Sequence, residues 1–297
     1  MILELVSVDA CGPLLRTLRG NQYFGQIVNN ATCKAWVILA KSRTDLVRLL
    51  QAWKIKVEKQ TSMQIRAIRI DNAAELKSLL KEWSDEYGLT YEPTVPYKSN
   101  QNGVAEKTIQ HTESDARAML VEAKLPIEFW DEAMEADTYL WNRLPGGEGL
   151  WSETYIFSPE EAFTGQKGQI SIEHIKVFGC KCYSYVDPKS LPAEGRKDKL
   201  MPWGCTCMFM GYVNETTKQY KVYAPDLRAT VRASVVDFEE ETKGGTVDLN
   251  LPGEHSQGTP NVLTIHKPIG RPKELLLPIV DLPPQEKLNN FEIVIPL

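Results

Sequence analysis

The order of hydrophobic patterns along the first 145 residues restricts the possible fold more than any other feature of this sequence. Strand-like runs at residues 3–8, 23–28 and 34–39 come first, and Asn29-Asn30 between the last two predicts a hairpin turn. Helical spacing from residue 45, a strand-like run at 65–70 and three further helical patterns follow, at about 73–87, 104–123 and 126–144. This order predicts an α/β domain over residues 1–150, with a mixed sheet flanked by helices.

The second half of the chain has a different pattern. After a connector at residues 151–174, short β runs separated by proline, glycine and turn pairs occupy residues 175–240. They predict a small all-β barrel domain. Residues 241–297 hold 8 of the 18 prolines and show little periodicity. We therefore expect a disordered, proline-rich tail there.

Composition and charge exclude some classes of protein. The 297 residues carry 34 Lys+Arg and 39 Asp+Glu, a net charge of −5, which disfavours indiscriminate binding to nucleic acid. Residues 1–125 nevertheless carry a net charge of +3, so the acidic total does not exclude a local basic groove, and this segment is the place where one would lie. The sequence contains neither an apolar run of roughly 18 residues nor a signal-peptide pattern. We therefore expect an intracellular protein with no membrane partner.

Three acidic residues stand at the predicted boundaries of secondary structure. Asp9 closes the first strand, Asp71 closes the fourth, and Glu106 opens the helix that starts near residue 104. Such positions meet at one edge of an open α/β sheet, and three carboxylates together repel one another unless cations lie between them. Oxygen ligands of this kind suit Mg²⁺ or Mn²⁺. Taken singly, each acid is more often a turn former, a helix cap or a residue of a helix's first turn than a metal ligand.

Local motifs decide between these interpretations, because the chain resembles the integrase catalytic core of copia-type LTR retrotransposons, in the RNase H-like superfamily. The order and spacing of the motifs hold over about residues 3–240. The motifs are DACGP at 9–13, IDN at 70–72, YEPTVPY at 91–97, QNGVAEK at 101–107, FWDEA at 129–133, YLWNRLP at 139–145, SPEE at 158–161, VFGC at 177–180, FMGY at 209–212 and VVDF at 235–238.

The resemblance implies an RNase H-like fold and a specific chemistry. Asp9, Asp71 and Glu106 fall on the family's metal ligands, which implies two Mg²⁺ or Mn²⁺ ions. The implied reaction joins the 3′ ends of element DNA to target DNA by phosphodiester transesterification. Implied partners are DNA, further copies of the chain and other polyprotein products, in the nucleus or a cytoplasmic particle.

A DNA-contacting surface is expected beside Glu106. Lys98, Asn102, Lys107 and Arg117 lie on the loop and helix that carry this residue, and such side chains commonly contact phosphate. A solvated helix face is the alternative interpretation of the same residues.

Departures from the family pattern leave a second function open. Ala73-Ala74 replaces the glycine that usually follows Asp-Asn, and the spacing from Asp71 to Glu106 is one residue shorter than expected. The alternative is therefore a catalytically inactive nucleic-acid-binding module from a truncated polyprotein. A hydrolase of the RNase H type is a third possibility, which the QNGVAEK motif disfavours.

Two C-x-C pairs, at residues 180–182 and 205–207, admit two interpretations. Four thiolates could bind zinc, whereas residues i and i+2 of a strand face the same side and could fill the core of the barrel. The second interpretation is favoured, because structural zinc sites more often use C-x₂-C pairs.

Overall fold

The computed structural model describes residues 2–70, 81–83, 85–86, 88–93, 103–145, 157–185, 204–214, 216–225, 228–249 and 251, with the backbone alone for 93 and 103–106. Within these ranges the predicted architecture is confirmed: a mixed sheet with helices precedes an all-antiparallel sheet. No helix among the described residues is long and apolar enough to cross a membrane.

The first sheet has five strands in the order β3-β2-β1-β4-β5. Strands β1, β2 and β3 are antiparallel, whereas β1 pairs in parallel with β4, and β4 with β5. The predicted hairpin is β2–β3. The strands are β1 (Leu5–Cys11), β2 (Tyr23–Asn29), β3 (Ala35–Ala40), β4 (Ala67–Ile70) and β5 (Thr90–Pro93).

Helix α1 (Arg43–Thr61) covers one face of this sheet. Ser42 caps the helix by accepting a hydrogen bond from the backbone N–H of Asp45 at 3.1 Å. Leu50 and Trp53 of the helix are buried against strand residues such as Val8, as the helical spacing predicts. The helix predicted over residues 73–87 lies largely outside the described residues.

Helices α2 (Gly103–Ala123) and α3 (Trp130–Arg143) cover the other face of the sheet. The C-terminal part of α2 and the N-terminal part of α3 share one apolar cluster with Phe24 of β2. Phe24 packs on Trp130 with ring centroids 6.1 Å apart. A short helix α4 (Pro159–Thr164) follows in the connector. A capping box between Ser158 and Glu161 starts α4, which explains part of the SPEE motif.

The second sheet is antiparallel throughout, in the order β10-β6-β7-β8-β9. Strand β10 continues to Lys243, past residue 240, where the sequence predicts the start of the tail. Leu249 and Leu251 are also buried, because apolar groups of α2, α3 and the second sheet enclose them. Residues 252–297 lie outside the described part. The strands are β6 (Cys180–Tyr185), β7 (Gly204–Val213), β8 (Thr216–Ala224), β9 (Ala229–Ala233) and β10 (Val236–Lys243).

The two C-x-C pairs lie in the core of the second sheet. Cys180, Cys182 and Cys207 are buried in one apolar cluster, and Cys205 packs against it with its Sγ 3.5 Å from that of Cys207. Burial raises the pKa of the Cys180 thiol to about 12. Among the described residues, no group of three or more His, Cys, Asp or Glu side chains is arranged to hold a metal ion. The cysteines thus act as small apolar core residues, the favoured interpretation.

The YLWNRLP motif is explained by contacts between α3 and the edge of the first sheet. The side-chain amide of Asn142 donates to the carbonyl of Ala35 and its oxygen accepts from the N–H of Ala35, both at 2.8 Å. The indole N–H of Trp141 donates to the carbonyl of Cys33 at 3.0 Å. Asn142 therefore pairs with backbone groups that an edge strand would otherwise leave open.

Candidate active site

Asp9 lies inside strand β1 and not at its end. The sequence places it as the closing residue, but β1 continues to Cys11 because pairing with β2 extends over this segment. The parallel pairing with β4 ends earlier, at Val8 opposite Ile70. Asp9 is therefore the first β1 residue beyond the parallel ladder. Its carboxylate is half-buried and accepts a hydrogen bond from the backbone N–H of Ala10 at 2.8 Å.

The other two predicted ligands are described less fully. Asp71 follows Ile70, the last residue of β4, and lies outside the described residues. Glu106 is the fourth residue of α2, and only its backbone is described. Whether the three carboxylates share a cation therefore stays a prediction.

Helix α2 directs one stripe of its surface toward β1. Glu113, on this stripe, lies close enough to Cys11 to interact with its thiol; burial first, and then Glu113, raise the pKa of Cys11. Positions 106 and 113 are two helical turns apart, about 10 Å along the axis, so they occupy the same stripe. Cys11 and Asp9, two residues apart on a strand, share one face of the sheet. The backbone thus places positions 9 and 106 on facing surfaces.

Buried polar groups without partners lie beside Asp9. Gln26 of β2 is directly opposite Asp9 in the strand pairing and is fully buried. Neither amide atom of Gln26 nor the hydroxyl of Ser7, on the same face of β1, has a hydrogen-bond partner among the described residues. Orphaned polar atoms of this kind are costly in an apolar core, so Gln26 and Ser7 are positioned to hydrogen-bond to a water or another polar group beside Asp9.

The predicted DNA-contacting residues are partly described. Lys107 and Arg117 are exposed on α2, consistent with either a phosphate-contacting or a solvated surface. Lys98 and Asn102 lie outside the described residues. Contact of these four residues with DNA stays a prediction.

A buried charge cluster was not foreseen from the sequence. The guanidinium of Arg19 donates to Asp131 at 2.8 Å and to Glu135 at 2.9 Å, and Lys221 of β8 donates to Glu135 at 2.8 Å. Glu132 is also within reach, 3.4 Å from Arg19. The cluster links the loop after β1, helix α3 and the second sheet. Three acids within the first six residues of a helix that also carries large apolar side chains were the available signal.

Asp137, a buried acid on α3, should make stability depend on pH. Burial first, and then Asp115, raise the pKa of Asp137 to about 7, against a hydrogen bond from Thr112 that lowers it. Because the folded chain holds this proton more tightly than the unfolded chain, the stabilisation is fully present below about pH 4 and is lost as the pH rises through 7.

Replacing Asp137 by Asn is expected to remove this dependence. The wild type should lose up to about 1.4 kcal/mol of unfolding free energy per pH unit between about pH 4 and pH 7 through this group. Urea denaturation across that interval, for wild type and Asp137→Asn, measures the difference in slope. Equal slopes would show that Asp137 titrates normally in the folded chain.

Comparison with known proteins supports the motif-based assignment. Residues 180–250 match the family model of the retroviral polymerase SH3-like domain. The retrovirus-related Pol polyprotein from transposon TNT 1-94 of Nicotiana tabacum is 33% identical over 255 residues, 84% of this chain and 18% of that protein. The Pol polyprotein from transposon RE2 of Arabidopsis thaliana is 25% identical over 210 residues, 71% of this chain and 14% of that protein. The chain thus spans less than a fifth of these relatives.

Two matches among solved structures are retroviral. The simian T-cell lymphotropic virus intasome in complex with the PP2A regulatory subunit B56 gamma matches with a TM-score of 0.43 and 11% identity, over 79% of this chain and 78% of that one. The catalytic core domain of BIV integrase matches with a TM-score of 0.38 and 14% identity, over 55% of this chain and 94% of that one.

The SH3-like match coincides with the second sheet, and the relation to the tobacco polyprotein extends over most of the chain. The chain therefore belongs to the retrovirus-related Pol polyproteins of transposons, and its residues 180–250 are a retroviral polymerase SH3-like domain.

Proposed function

We propose that this chain is a copia-type integrase that joins the 3′ ends of element DNA to target DNA by metal-dependent transesterification. The observation that carries the proposal is the position of Asp9, a half-buried carboxylate just beyond the parallel β1–β4 ladder and facing α2. The relation to transposon Pol polyproteins supports the reaction class.

Asp9, Asp71 and Glu106 are the residues that would hold Mg²⁺ or Mn²⁺. The described part of the site fits such an ion, because Asp9 offers carboxylate oxygens and the unpartnered amide of Gln26 can hydrogen-bond to ordered water. Held by these residues, such ions would supply activation of the attacking oxygen and stabilisation of the leaving oxygen in the transesterification. The carboxylates themselves orient this chemistry and form no covalent bond to DNA.

DNA is the proposed partner, held along the exposed side of α2. Lys107 and Arg117 project from this helix into solvent, where their charges can meet phosphate oxygens, and Lys98 and Asn102 precede it in the sequence. Assembly of several copies of the chain around two DNA ends is part of the same proposal.

A catalytically inactive DNA-binding module is the second candidate. Ala73-Ala74 and the shortened spacing between Asp71 and Glu106 favour it, since either change could displace a ligand.

A strand-transfer assay separates the two candidates. Purified protein is titrated with Mn²⁺ and then incubated with a labelled oligonucleotide and target DNA, alongside Glu106→Gln. Metal-dependent joining by the wild type that is lost in Glu106→Gln supports the integrase. DNA binding without joining, indifferent to Mn²⁺ and to the substitution, would replace it with the binding module.

A further inference from the structure

Helices α2 and α3 lie between the two sheets and belong to both domains. One continuous apolar cluster contains Phe24 of the first sheet, Leu120 of α2, Phe129 before α3, and Met208 and Tyr223 of the second sheet. The rings of Phe129 and Tyr223 meet edge to face with centroids 5.0 Å apart. The SH3-like domain, here β6–β10, therefore completes the core around α2.

Two glycines that flank the strands of the SH3-like domain, one before β6 and one after β10, touch the C-terminal end of α2 directly. A Cβ added to Gly179, whose φ is +70°, would overlap the methyl group of Ala123 and lie 2.9 Å from Cδ1 of Leu125. A Cβ added to Gly245 would overlap the backbone carbonyl of Lys124. Only glycine therefore fits against the end of α2 at these two positions.

Neighbouring contacts hold these glycines in place. The N–H of Gly179 donates to the carbonyl of Phe209 at 2.8 Å, and the N–H of Gly244 donates to the carbonyl of Gly179 at 2.7 Å. Gly211 of β7 approaches Ala136 of α3 so closely that an added Cβ would lie 3.2 Å from the alanine methyl group. Gly179 and Gly245 thus form a contact surface for the C-terminal end of α2, here called the seat of α2. Backbone hydrogen bonds of the second sheet hold this surface in place.

We propose that the SH3-like domain is a positioning element for the catalytic helix, and that Gly179 and Gly245 seat the end of α2 so that its N-terminal turn stands correctly against β1. This inference rests on the proposed function of Glu106. A helix is stiff along its length, so a displacement at residue 124 is transmitted toward position 106. Misplacement of a catalytic group by about 1 Å can lower a rate by about 10²-fold.

Gly245→Ala tests the seat without imposing backbone strain, because φ at Gly245 lies outside the left-handed range. Two controls match it. Gly204→Ala adds the same methyl group where it meets only ordinary contacts, the nearest at 3.8 Å. Val231→Ala weakens the core of the second sheet, in a cluster that contains no α2 residue.

Three readouts are compared for the full chain: hydrogen exchange of α2 amides, Mn²⁺ affinity and strand transfer. Gly245→Ala should accelerate exchange in the N-terminal half of α2 about tenfold and weaken Mn²⁺ binding to a similar degree, with strand transfer falling up to about 10²-fold. Gly204→Ala should change none of them. Val231→Ala should accelerate exchange in β8 and β9 but leave α2 and Mn²⁺ affinity unchanged.

The exchange measurement keeps this inference separate from the proposed reaction. If the wild type neither binds Mn²⁺ nor joins DNA, the proposed function fails, while exchange still reports whether the glycines hold α2. Exchange in α2 that is the same in Gly245→Ala and Val231→Ala would overturn the inference. If Gly245→Ala does not fold, Leu125→Ala loosens the same contact from the helix side and must give the same pattern.

Discussion

Asp9→Asn should abolish metal-dependent strand transfer while leaving the fold intact. Loss of one carboxylate from a two-metal site withdraws several kcal/mol of transition-state stabilisation, so a fall of at least about 10²-fold in rate is expected. Mn²⁺ affinity should fall with it. Strand transfer at saturating Mn²⁺, Mn²⁺ titration and thermal melting together measure the effect.

The structure explains why stability should survive this substitution. Asn keeps a side-chain oxygen in the position where Asp9 accepts the hydrogen bond from Ala10, so the local backbone retains its partner. The chain loses a negative charge from a region where the proposal places two more carboxylates, and the metal-free protein should therefore melt at the same temperature or slightly higher.

Asp45→Asn provides the control for a general loss of negative charge. Asp45 is a partly exposed acid in the first turn of α1, on the opposite face of the first sheet from Asp9. Its replacement should leave Mn²⁺ affinity and strand transfer unchanged. Full activity in Asp9→Asn, or an equal loss in both variants, would remove Asp9 from the reaction.

The sequence predicts those parts of the fold that local periodicity determines. Alternation and helical spacing are properties of neighbouring residues, so they locate β1–β4 and α1–α3 to within a few residues. The position of Asp9 shows the limit of such patterns. The acid at position 9 interrupts the apolar run, yet β1 continues to Cys11 because β2 supplies partners across the sheet.

Local sequence patterns do not predict contacts between segments that are far apart in the chain. Arg19 meets Glu135 across 116 residues, and Asn142 meets Ala35 across 107. Helix α3 is buried on most sides, since a second sheet covers the surface that a two-layer domain would expose. The sequence alone suggests that the acidic residues of this helix are exposed to solvent, because it does not show that the second sheet covers them. The motif-based resemblance identified these segments without revealing what they do.

Arg19→Met is expected to destabilise the folded chain severely. Arg19 is the partner of Asp131 and Glu135 and the nearest cation to Glu132, whose two oxygens have no hydrogen-bond partner among the described residues. Burial already raises the pKa of Glu132, even though Arg19 and Lys221 oppose the shift. Removal of Arg19 would leave Lys221 alone beside three acids.

Leaving buried carboxylates without their cation costs about 3–5 kcal/mol, and we expect a loss of unfolding free energy of this size near neutral pH. The loss should shrink as the pH falls toward about 5, because protonation relieves the uncompensated charge in the folded chain. Urea denaturation at both pH values measures the loss.

Lys243→Met is the control. It breaks the exposed pair with Glu122 and should cause no measurable change in unfolding free energy. A similarly small effect of Arg19→Met, or one independent of pH, would mean that the acids on α3 do not depend on Arg19.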